Sequence, residues 1–264
     1  MPVISTFCKK GGVGKSTFIG YLAHYYAQQQ KNILVISVDD QNSIFKIFGT
    51  ENAILEDDRN YFDYLIEGFI ELGDVLINIR PNLDFIKTLN TDSLSIRITQ
   101  ERRLEKEIKE IIESYKTFYD YIFIDFPPAS SRLSEVLIDL SDSVLIVVGL
   151  DSLGLGGFVN AIQYFVDKDL DIELINYILP NGFSKTKRAP KVSLEALKIQ
   201  ASKYTPNALV LPPLNDRSVI KNLQAEGISI FDNVGLSRYD TQSREIVKKE
   251  LISLFEMLKF EKTL

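Results

Sequence analysis

The chain has 264 residues, 45% of them hydrophobic, which is enough to bury one large core and fits a single α/β domain, residues 1–264, better than two small ones. A formal charge of -6 and a pI near 5.1 exclude a global attraction to nucleic acid, so any such contact must come from a local patch. Cys8 is the only cysteine and His24 the only histidine, which excludes an internal disulfide and a Cys/His metal centre. No apolar run approaches the roughly 18 residues that cross a bilayer, and the expectation is a soluble cytoplasmic protein.

Taken in chain order, the first predicted strand covers residues 3–7. It leads into Lys9, Lys10, Gly11, Gly12, Val13, Gly14, Lys15, Ser16 and Thr17, and then into helical spacing at Phe18, Leu22 and Tyr25. A glycine-rich turn between strand and helix presents backbone N–H groups and the positive end of a helix dipole, a cradle for polyphosphate. The strict motif wants glycine where Lys9 stands; Gly14, Lys15 and Ser16 fit it. In this pattern Lys15 reaches the β- and γ-phosphates and the Ser16 hydroxyl is a ligand for Mg²⁺, a hard cation that selects oxygen.

Further short β-branched or aromatic runs fall at residues 33–38, 83–88, 121–125, 143–148, 173–179 and 208–211. Helical stretches lie between them, for example Leu104, Ile108, Ile111 and Ile112. The alternation predicts a mostly parallel central sheet of about seven or eight strands with helices on both faces, ligands binding at the carboxyl ends of the strands. Residues 49–82 are the least regular; Tyr61, Phe62, Tyr64, Leu65 and Ile66 suggest a short helix there. The second strand ends in Asp39, Asp40, Gln41 and Asn42, and the fourth in Asp125, Phe126, Pro127 and Pro128, the prolines reading as a stop. Between residues 185 and 203, Lys185, Lys187, Arg188, Lys191, Lys198 and Lys203 face a single Glu195, a stripe suited to pairing with phosphates without reading sequence.

The string K-G-G-V-G-K-S-T from Lys10 to Thr17 resembles the deviant Walker A loop of the ParA/MinD ATPases, most closely the small ParA-type partition branch. The resemblance extends from residue 3 to about 235. It implies a P-loop NTPase fold, ATP and Mg²⁺ as ligands, and ATP hydrolysis that is weak until a partner stimulates it. It implies that Lys10 crosses an ATP-sandwich homodimer to the partner's phosphates, that Lys10, Gly11, Gly12, Val13, Gly14, Lys15, Ser16 and Thr17 bind ATP, and that Asp39 activates the attacking water. Asp39 and Asp125 would join Ser16 in the Mg²⁺ shell, with Asp40 standing where the family's D-P-Q segment has proline. Asn181 and Pro212 fall where the family takes adenine, and Arg217 leads the helix that the small partition ATPases place near their C-terminus. Nonspecific nucleoid DNA would bind at Lys185, Lys187, Arg188, Lys191 and Arg217, and a ParB-like centromere-binding protein would trigger release, segregating plasmid or chromosomal DNA.

The iron–sulfur relatives of this group are excluded by the single cysteine. The alternative is a membrane-associated positioning switch like MinD, for which the apolar positions Ile246, Val247, Leu251, Leu254, Phe255 and Leu258 are the feature to weigh. Their helix carries nearly balanced charge, which reads as core packing and makes membrane contact the weaker expectation. A tyrosine kinase on the same fold lacks its C-terminal tyrosine cluster, since the last tyrosine is Tyr239.

Overall fold

Short β-branched and aromatic runs become strands here because both faces of the sheet they form are covered. The computed structural model describes residues 1–52, 60–151, 154–235 and 238–260. In chain order the elements are β1 (Val3–Phe7), α1 (Lys15–Gln28), β2 (Ile33–Ser37), a 3₁₀ turn (Ser43–Phe48), α2 (Phe62–Ile66), β3 (Ile77–Arg80), β4 (Leu83–Ile86), α3 (Thr91–Gln100), α4 (Arg103–Tyr115) and β5 (Tyr121–Asp125). There follow α5 (Arg132–Asp139), β6 (Ser143–Gly149), α6 (Gly154–Asp167), a 3₁₀ turn (Ile172–Leu174), β7 (Ile175–Phe183), α7 (Arg188–Tyr204), β8 (Leu209–Val210), β9 (Leu214–Asn215), α8 (Ser218–Ala225) and α9 (Arg238–Phe255).

The sheet runs β3-β4-β2-β5-β1-β6-β7-β8, with β9 also paired to β7. Every pairing is parallel except β3 with β4 at one edge. Alternate residues of one strand go to opposite cores: Leu34 and Ile36 of β2 pack with α3 to α7, whereas Ile33 and Val35 pack with α1, α8 and α9. Parallel strands buried on both sides read as continuous apolar runs, which is why these elements are legible in the sequence.

Three strand expectations need correction. The run at 173–179 begins at Ile175, after a 3₁₀ turn, and continues to Phe183 through Pro180 and Gly182. Turn-forming residues are carried as strand because Val148 and Gly149 of β6 pair with Pro180 and Asn181. The run at 208–211 shrinks to the two residues of β8, and β3 and β9 were not expected. The short helix at Phe62–Ile66 is present, while residues 53–59 of the segment 49–82 lie outside the described residues.

The apolar side of α9 and the turn beyond it faces inward. Val247, Leu251, Leu254, Phe255 and Leu258 are all buried in the core that contains α1, whereas Ile246, expected with them, is 51% exposed. No helix of the described residues is long and apolar enough to cross a membrane.

Candidate nucleotide-binding site

The turn between β1 and α1 is shaped by glycine. Gly12 and Gly14 adopt φ values of 70° and 96°, left-handed conformations that a residue with a Cβ enters only with strain. Gly14 is also the N-cap of α1 and offers no side chain to cap it. Two other helices are capped by a side chain: Asn90 Oδ1 accepts from Ser93 N at 2.8 Å and Ser131 Oγ from Ser134 N at 3.1 Å. The first turn of α1 therefore keeps N–H groups for an anion, and the helix dipole favours negative charge there. Distant elements hold the loop in place: Asn181 Nδ2 donates to Val13 O at 2.8 Å, and Gln224 Nε2 donates to Thr17 Oγ1 at 2.8 Å.

Sheet order brings the acids to this loop. Since β5 lies between β1 and β2, the carboxyl ends of three adjacent strands deliver the loop, Asp125 and Asp39 side by side. Val38 N donates to Asp125 O at 2.9 Å, extending the β2–β5 pairing to the residue before Asp39. Asp125 is 0% exposed, and neither carboxylate oxygen has a hydrogen-bond partner among the described residues. Burial pushes its carboxyl up to about 7; Ser16 and Lys15 pull it down, and Asp39 pushes it further up. Lys15 is itself buried, which lowers its ammonium pKa, with Asp125 as the largest opposing influence. An orphaned buried carboxylate beside a serine hydroxyl and a second carboxylate is an all-oxygen set that fits Mg²⁺. Asp39 is half-buried and accepts from Gln41 N at 3.0 Å.

A cavity of about 710 Å³ opens on the other side of the loop. Lys10 to Gly14, Thr17, Phe18 and Tyr21 form one wall, and Asn181, Gly182, Lys187 and the stretch Leu214–Arg217 contribute another. Glu250 and Leu251 of α9 complete it. Asn181 thus stands at the cavity, whereas Pro212 is exposed and outside the lining, between β8 and β9. At the cavity mouth Lys10 Nζ is held by Asp151, 2.6 Å and 2.5 Å from its two carboxylate oxygens.

The cations expected to meet DNA divide into groups. Lys185, Lys187, Arg188 and Lys191 are exposed around the start of α7, with Lys187 also lining the cavity. Arg217 lines the cavity too, and lies 3.8 Å from Glu250. Lys198 is neutralised by Glu195 at 2.9 Å. Asp151, Tyr21, Gln224 and Glu250 were missed by sequence reasoning. None belongs to a motif, and each reaches the site only through the fold.

The AAA domain family matches residues 1–174. The sporulation initiation inhibitor protein Soj of Bacillus subtilis is 30% identical over 178 residues, covering 65% of this chain and 70% of Soj. A ParA family protein of Mycoplasma pneumoniae is 24% identical over 94% of this chain and 97% of its own. Among solved structures, a Borrelia burgdorferi protein assigned to plasmid partition, bound to AMPPNP, has a TM-score of 0.71 at 20% identity over 96% of this chain and 98% of that one.

Proposed function

The chain belongs to the ParA/MinD family of P-loop ATPases, and on that premise we propose that it is a partition ATPase whose ATP-bound dimer holds nonspecific DNA. The observation that carries this reading is the position of the basic cluster. Lys187 lines the nucleotide cavity while Lys185, Arg188 and Lys191 stand exposed near it in sequence, which supports a phosphate-binding face adjoining the nucleotide site. The Borrelia protein assigned to plasmid partition shares the fold and carries AMPPNP, which supports ATP as the ligand.

In the reaction the N–H groups at the start of α1 and the Lys15 ammonium hold the phosphates, and Asp39 accepts a hydrogen bond from the water that attacks the γ-phosphorus. The bond from that phosphorus to the ADP oxygen breaks. Ser16, Asp125 and Asp39 would hold Mg²⁺, which supplies charge neutralisation on the phosphate oxygens. Lys10 must exchange Asp151 for the phosphates of a second subunit, which makes dimerisation depend on nucleotide. A ParB-like protein bound at the centromere would stimulate the hydrolysis that releases DNA.

A membrane-positioning role is disfavoured by α9. Exposing Val247, Leu251, Leu254, Phe255 and Leu258 to reach a lipid surface would forfeit roughly 8–15 kcal/mol of apolar burial. The DNA reading is tested by Arg188→Glu with Lys191→Glu, exposed cations outside the cavity lining. Retention of random duplex DNA should fall, its log–log salt slope by about 2, with ATP hydrolysis unchanged. Unaltered retention refutes the role of this face.

A further inference from the structure

The segment that carries Asp39 lacks the proline found in the family pattern, yet it is pinned by the side chain of its last residue, Asn42, and by two threonines from outside it. Asn42 is 1% exposed and sits at φ 45°, ψ 38°. Both donors and the acceptor atom of its amide are engaged: Nδ2 donates to Asp40 O at 3.0 Å and to Thr88 O at 2.9 Å, and Oδ1 accepts from Thr88 N at 3.2 Å. Its backbone works in the same place, with Asn42 N donating to Asp39 O at 2.8 Å and Phe45 N donating to Asn42 O at 3.0 Å.

Two threonines complete the frame. Thr88 Oγ1 donates to Ser37 O at 2.6 Å and Thr91 Oγ1 donates to Val38 O at 2.5 Å. The two carbonyls belong to the two residues before Asp39, and both threonines are buried. The threonines thus fix the entry to the Asp39–Asn42 turn and Asn42 fixes its exit. Beyond Asn42 the 3₁₀ turn packs on α1 through Ile44, Ile47 and Phe48, which crowd Gly20. Asparagine suits this point for two reasons: it tolerates the left-handed backbone better than other side-chain-bearing residues, and it carries both donors and an acceptor.

We propose that Asn42 is a positioning residue for ATP hydrolysis, holding the turn so that the Asp39 carboxylate faces the γ-phosphate, in place of the stiffness a proline at position 40 would give. The proposal rests on the reading of Asp39 as the residue that orients water. Asn42 touches neither nucleotide nor water in this scheme and acts only through the turn. A buried amide that spans two strands' exits holds geometry more tightly than a solvent-facing one, because its alternatives leave buried polar groups unsatisfied.

The test is Asn42→Gly, which keeps the left-handed backbone and deletes the amide, together with Asn42→Asp, which retains an acceptor for Thr88 N and loses both donations. Each is assayed for turnover at saturating ATP, for affinity by titration with a fluorescent ATP analogue, and for melting temperature. Turnover should fall roughly 10- to 100-fold, as for other supporting groups around a reaction centre, while affinity stays within about twofold. In an Asp39→Ala background, Asn42→Gly should remove no further turnover. Parent-like turnover in both Asn42 variants, a loss confined to affinity, or losses that multiply in the Asp39→Ala background would each overturn the proposal. Normal turnover in Asp39→Ala alone overturns the Asp39 assignment and the proposal with it, and is distinguished by leaving the Asn42 result irrelevant to the outcome.

Discussion

Replacing Gly14 by alanine tests the loop geometry with an internal control nearby. A Cβ at position 14 would stand 2.6 Å from Asn181 Nδ2, the atom that donates to Val13 O. At φ 96° the backbone already disfavours any residue with a Cβ, a cost of about 1–2 kcal/mol. Driving the Asn181 amide off the loop adds the net worth of its hydrogen bond, about 0.5–1.5 kcal/mol. Together these give about 2–3 kcal/mol, a fall in Tm of roughly 5–10 °C for a chain of this size. Gly12 at φ 70° has nothing within 4 Å of its would-be Cβ, so Gly12→Ala should meet only the backbone cost, about 1–2 kcal/mol, and melt roughly 1–6 °C above Gly14→Ala. Thermal unfolding without nucleotide, followed by circular dichroism, reads both. Because Gly14→Ala breaks the Asn181 contact, Asn181→Ala should cost less in that background than it does in the parent. If the two glycine variants melt together, or Asn181→Ala subtracts its full effect in the Gly14→Ala protein, the clash is not what shapes this loop.

Other expectations follow from buried charge. MgATP at about 100-fold its Kd should stabilise the parent by about 2.7 kcal/mol and raise Tm by roughly 5–10 °C, and Lys15→Ala should show no such rise. His24 lies against Phe48 and Phe231 with its Nδ1 2.7 Å from Ser229 Oγ, and burial lowers its pKa to about 4. Between that value and the usual pKa near 6.5 the unfolded chain takes up a proton that the folded one refuses. Its contribution is therefore complete above that range and is lost as pH falls through it; melting curves from pH 7 to pH 5 should show a shallower decline in His24→Gln than in the parent.

Much of this architecture was legible because its causes are local. The strands around the site are apolar runs covered on both faces, and the phosphate loop announces itself through Gly12, Gly14, Lys15 and Ser16. Asp39 and Asp125 follow from the same logic, each an acid at the end of such a run. What stayed hidden depends on pairing across long sequence distances. Pro180, Asn181 and Gly182 carry turn chemistry yet continue β7, because β6 and β9 supply partners on either side. The edge strand β3 has only Ile77 and Ile79 as apolar residues, too few for a period to show. Asp151 is separated from Lys10 by 141 positions, and nothing near either residue signals the ion pair. Asn42 looks like an ordinary polar loop residue until Thr88 is seen beside it.

The tie between Asn181 and the phosphate loop also has a consequence in time. Val13 and its clamp are 168 positions apart, and the clamp on Thr17 from Gln224 spans 207. At about 5–20 residues per second, a ribosome needs roughly 8–40 s after making the loop to make the residues that clamp it. During that interval the nascent chain carries the motif without its frame, since β7, α8 and α9 are not yet built. High-affinity nucleotide binding should consequently appear late in synthesis, so truncated products would be poor competitors for ATP and poor poisons of any assembly the finished chains form.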